Sequence, residues 1–129
     1  MHTELLIERW FAIGMLLFGF SHAVHPGKWA ALFLPAREGE AGGLMIATFT
    51  LPLGLIVILT HNVWVWGLPV IVTLLGWAMS VKSVIYLFFP GAARRVMPAA
   101  GELRKGFRIA GAVMILLGIL IGYEAFFRK

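Results

Sequence analysis

Residues 43–60 read GLMIATFTLPLGLIVILT, without a single charge, and residues 67–89 read GLPVIVTLLGWAMSVKSVIYLFF, with Lys82 as their only charge. Crossing about 30 Å of hydrocarbon takes roughly 20 helical residues, which each stretch supplies. Working outward, residues 5–24 and 109–127 have the same length and character. Lipid offers nothing to backbone N–H and C=O groups, and these runs lack the period-two alternation of barrel strands, so each reads as helix. The expected fold class is therefore all-α: a polytopic membrane protein with four transmembrane helices in one membrane domain, residues 1–129. Proline and glycine punctuate the spans: Pro26 and Gly27 follow the first, Pro69 sits in the opening turn of the third, and Pro90 and Gly91 stop it. Pro52 predicts a kink in the second span, its freed carbonyl taken by a neighbouring helix or by Thr48.

Composition supports this reading. Of 129 residues, 60% are apolar and 13% charged, against about 45–50% and 25% in soluble domains. There is no Asp, Gln or Cys, and only one Asn and three Ser. A small soluble domain needs more polar surface than this. Lacking Cys, the chain has no disulfide, thiolate chemistry, Cys zinc site or iron–sulfur ligation. Lacking Asp, it has no paired-aspartate Mg²⁺ site.

The net charge of +5 is concentrated on one side. Lys28, Arg37, Arg94, Arg95, Arg104, Lys105 and Arg108 fall in the first and third connections; only Arg9, Arg128 and Lys129 fall opposite. The positive-inside rule then places both termini on the non-cytoplasmic side of an inner membrane. Trp10, Trp29, Trp64 and Trp66 suit interfacial belts. Basic residues beside anionic lipid need no nucleic acid to explain them, so the expected partners are membrane lipids, with Arg94, Arg95, Arg104, Lys105 and Arg108 near their headgroups. Residues 27–35, with Trp29, Leu32, Phe33 and Leu34, read as a short interfacial helix on the same side.

Shifting the sequence by 64 positions aligns its halves without a gap. Pro26 and Gly27 fall on Pro90 and Gly91; Ala36, Glu38 and Gly42 on Ala100, Glu102 and Gly106; Leu53 and Gly54 on Leu117 and Gly118. The expectation is a tandem duplication of a helical hairpin, residues 1–64 and 65–129, as a parallel repeat about an axis along the membrane normal. Gly118 and Gly122 form a GxxxG pair with Gly111 nearly on the same face, and Gly76, Ser80 and Ser83 form a second stripe. These positions suit packing within four helices or a homo-oligomer contact.

Arg9 and Trp10, leading through Gly14 and Gly19 to His22, Pro26 and the run Ala30, Ala31, Leu32, Phe33, resemble the opening of DoxX-like four-helix bacterial membrane proteins. The stretch from Tyr86 to Pro90, through Arg94 and Arg95 to Leu103, Arg104 and Gly111, is similar to short two-helix bacterial membrane proteins of unknown function. The resemblance implies a bacterial inner-membrane module with a loose link to respiratory or redox-associated proteins. No catalytic residue carries over from either family.

Few polar groups remain to carry chemistry. Lys82, with Tyr86 one turn along, Ser80 and Ser83, and with Ser21 and His22 on the first span, forms one candidate polar lining. His22 and His25, three residues apart, offer two imidazoles to a metal or haem, short of the three or four ligands a zinc site needs. Glu8, Arg9, His61, Tyr123 and Glu124 gather at the opposite end, as rim ion pairs or a proton-entry cluster. The leading functional expectation is a non-enzymatic helix-packing scaffold or accessory subunit of a larger membrane complex, with no resident cofactor. A homo-oligomeric channel or transporter is one alternative, and a redox-associated haem- or quinone-binding protein is another.

Overall fold

The computed structural model describes residues 2–38, 42–89, 91–92, 95 and 100–128, with no strand among them. Helices α1 (His2–Val24), α2 (Pro26–Glu38), α3 (Gly42–Thr60), α4 (Leu68–Phe88) and α5 (Ala100–Tyr123) follow in order, and α5 ends in a π-helical turn, Glu124–Arg128. Four segments are long and apolar enough to cross a membrane: Thr3–Val24, Gly42–Thr60, Leu68–Phe88 and Glu102–Phe127. The first three match the sequence expectation closely. The fourth starts earlier, since α5 begins at Ala100 and carries Arg104, Lys105 and Arg108 on its opening turns instead of in a loop. Charge alone does not stop a helix, and these exposed side chains can reach an interface on their own stems.

The α3 helix runs unbroken through Pro52. Thr48 Oγ1 donates to Leu44 O at 2.7 Å, so its hydroxyl serves its own helix one turn upstream. Gly67, at φ +142°, begins α4 in a backbone conformation that a Cβ would strain, and Pro69 follows in the first turn, where its missing N–H costs nothing.

Packing is in pairs: α1 lies along α5, and α3 lies along α4. Small residues allow the close approach. A Cβ on Gly111 would sit 2.7 Å from Gly19 O and from Ala23 N, while one on Gly54 would sit 2.9 Å from Ser80 N. The pairs meet through Ala12, Val57, Val72 and Ile121, one residue from each long helix. Toward the basic end, Ile46, Ala47 and Tyr86 form a second small core, with Phe33 of α2 against it. Leu6, Leu17, Phe49, Leu59 and Val81 are exposed, as a lipid-facing surface requires.

One glycine contact and one hydrogen bond recur at the 64-residue offset. A Cβ on Gly54 would meet Ser80 and Gly76 O; one on Gly118 would meet their counterparts, Leu16 and Ala12 O. Thr73 Oγ1 donates to His61 O at 2.9 Å, and at the equivalent positions Arg9 Nε donates to Ala125 O at 3.1 Å.

Candidate functional site

Two places stand out: a buried polar cluster at the end holding the chain termini, and an apolar cleft toward the basic end. The cluster starts from Glu8, about one and a half turns into the first span. Its Oε2 lies 2.7 Å from His61 Nε2, just past the end of α3. His61 Nδ1 lies 3.0 Å from Thr73 Oγ1 on α4, and Thr73 Oγ1 also receives Val63 N–H at 3.1 Å. Glu8, His61 and Thr73 are 3%, 0% and 0% exposed, which takes them out of contact with either water or lipid. Beside them, Arg9 bonds Ala125 O across the π-helical turn and lies over the Phe126 ring. Trp64 and Trp77 both donate their indole N–H to Asn62 Oδ1.

Of the expected terminal-end cluster, Glu8 and His61 are therefore in direct contact, and Arg9 ties α1 to the end of α5. Tyr123 is exposed and stacks near Phe127, and Glu124 is half-buried. Thr73 was not among the side chains the sequence placed in this cluster. Its one signal is the connection from 61 to 73, reversed at Gly67, which brings the start of α4 back over the end of α3.

The expected lining around Lys82 divides into separate groups. Ser80 and Ser83 face α3: Ser80 Oγ donates to Gly76 O, and Ser83 Oγ meets Thr50 Oγ1 across the α3–α4 seam. Tyr86 is buried in the basic-end core. Lys82 is exposed on α4, and no hydrogen bond links it to these three side chains among the described contacts. Ser21 accepts the Trp29 indole N–H at 2.8 Å. His22 bonds Phe18 O through Nδ1, and its ring lies 4.3 Å from Trp29 and 5.1 Å from Phe107. His25 is exposed. Among the described residues no three His, Asp or Glu side chains come together around a point that could hold a metal.

The second place is a cleft of about 690 Å³ between α1, α2 and α3, lined by Phe18, Trp29, Phe33, Phe49, Thr50 and Leu53 among others. At this end α2 contacts both α3 and α5, one helix of each pair. The cleft's wall is a run of aromatic contacts, with Trp29 stacked on Phe33 and Phe107. Its polar hydrogens are already engaged. Trp29 donates to Ser21, Thr48 to Leu44 O, and Thr50 to Ile46 O within reach of Ser83.

Near that cleft Gly27 lies against the Arg104 side chain, with Lys28 next in sequence and exposed. Arg95, Lys105 and Arg108 are exposed too, whereas Arg94 lies outside the described residues. Gly118 and Gly122, with Gly111, face α1, and Gly76 faces Val57 of α3, so these small residues are used within the chain. No family model, curated protein or solved structure matches this chain.

Proposed function

We propose that this is a non-enzymatic, multi-pass inner-membrane protein that holds one hydrocarbon chain of an anionic lipid between its helix pairs, serving as a lipid-holding scaffold or accessory subunit. The observation that carries this reading is the apolar cleft whose polar hydrogens are all committed elsewhere. Its volume lies in the range of about 300–1,000 Å³ usual for ligand pockets. A quinone ring needs donors for its carbonyl oxygens, and a haem needs an axial ligand. The cleft lining offers no histidine and no spare N–H or O–H, which favours a bare hydrocarbon chain over either.

Moving an acyl chain from lipid to such a cleft gains little, because both surroundings are apolar. Selection must then come from the headgroup, where Lys28 and Arg104 stand at the basic end. At about 1 kcal/mol per cation near an anionic surface, two cations give roughly a 30-fold preference. The basic end is the cytoplasmic one in this reading, by seven cations against three. Both termini then lie on the non-cytoplasmic side. We read the matched contacts of the two pairs as the trace of a tandem hairpin duplication, and the DoxX-like resemblance accords with a small bacterial module of this kind.

The test is fluorescence quenching in vesicles by phospholipid brominated on its acyl chains, with the Trp29→Phe variant subtracted to isolate Trp29. Brominated phosphatidylglycerol should quench well above brominated phosphatidylcholine at equal mole fraction, and Lys28→Ala with Arg104→Ala should remove the difference. Equal quenching by the two lipids in the unmodified protein would reject the proposal.

A further inference from the structure

We propose that Glu8, His61 and Thr73 form a one-proton binding site that locks the two helix pairs together. The argument is a count of hydrogens. Thr73 has a single hydroxyl proton, and its Oγ1 lies 2.9 Å from His61 O, which can only accept and so takes that proton. Thr73 Oγ1 must therefore accept from its other neighbours, Val63 N–H and His61 Nδ1, so Nδ1 carries a proton. That leaves the 2.7 Å contact between His61 Nε2 and Glu8 Oε2 to be filled by one further proton. It resides on nitrogen as an ion pair or on oxygen as a neutral pair, and the net charge is zero either way.

Both neighbouring protonation states fit badly. With the proton removed, a carboxylate faces the lone pair of a neutral imidazole. With one added, Glu8 Oε2 can still accept from His61 Nε2–H while Oε1 holds the acid proton, but the buried pair then carries a net positive charge. Water cannot relieve either state, since these side chains are almost wholly buried. The contact joins α1, of one helix pair, to α3 and α4, of the other, beside the Ala12, Val57, Val72 and Ile121 contact. Loosening it therefore acts on the seam between pairs. Among the residues whose side chains are described at this end, the other titratable or charged ones are Glu4 and Arg9 on α1 and Tyr123 and Glu124 at the end of α5; α3, the connection to α4, and α4 as far as Trp77 bring only His61. Arg9 is engaged with Ala125 O and Phe126.

The experiment combines two measurements on the full chain in detergent. In ¹⁵N-histidine spectra, assigned by replacing His2, His22 and His25 in turn, His61 should carry a proton on Nδ1 at every pH where the protein is folded. The thermal midpoint should fall by several degrees on both sides of a maximum in pH. Glu8→Gln should flatten that profile, because an amide can turn to donate to a neutral imidazole or accept from a protonated one. A His61 with bare Nδ1 and protonated Nε2 overturns the count of hydrogens, even where a variant fails to fold. A profile unchanged in Glu8→Gln overturns the lock.

Discussion

Replacing Gly111 by alanine tests the helix pairing most directly, because the same change at Gly106, on the same helix, provides its own control. At Gly106 an added Cβ meets nothing within 4 Å. At Gly111 it would lie 2.7 Å from Gly19 O, 2.7 Å from Ala23 N and 2.9 Å from His22 Cβ, two of them backbone atoms that move only if α1 moves. Alanine is better than glycine in a helix by up to about 1 kcal/mol, and that gain applies at both positions. The difference between the variants therefore isolates the overpacking cost, about 1–3 kcal/mol for a methyl forced into a filled contact. Gly106→Ala should be neutral to stabilising, with Gly111→Ala lower by that difference. Equilibrium unfolding in mixed micelles, with the denaturing detergent as the variable, reads both. If the two variants unfold within about 0.5 kcal/mol of each other, the spread usual for changes away from special contacts, then α1 does not lie against α5 as described.

Two further outcomes follow from single side chains. Lys82→Met should fold at least as well as the unmodified protein, because Lys82 is turned outward and a lysine deep in a span carries an insertion cost of about 2.5–3.5 kcal/mol; loss of membrane accumulation would show instead that the lysine has an interhelical role. Asn62→Ala should free the indoles of Trp64 and Trp77 together, at about 0.5–1.5 kcal/mol for each hydrogen bond, and a change in tryptophan emission without loss of helical circular dichroism would report it.

What could be read from the sequence follows from what lipid makes compulsory. Span lengths and the helical class were legible because the bilayer leaves the backbone no alternative. Gly111, Gly118 and Gly76 were legible as packing positions because small residues alone permit helices to approach closely. Glu8 and His61 were legible as companions because charge is rare here and both fall at the same end. The orientation of Lys82 was not, since helices apolar on nearly every face carry no periodic signal of which face turns inward. Nor was the early start of α5, where Arg104, Lys105 and Arg108 suggested a loop although the backbone continues as helix. The cleft was hidden for a different reason. It is lined by residues of α1, α2 and α3 together, and no local stretch of sequence encodes how far apart three helices come to rest.

The order of pairing has a consequence for how the protein is made. Of the four spans, the first has its main partner in the fourth, while the second and third lie against each other. During synthesis α3 and α4 can join as soon as both are inserted, but α1 lacks its main partner, with the groove around Gly19 open, until α5 arrives. A chain that stalls before residue 100 thus presents the quality-control machinery of the membrane with a first span whose Gly19 groove is unfilled and whose Arg9 has not met Ala125 O, and the arrival of α5 closes that window.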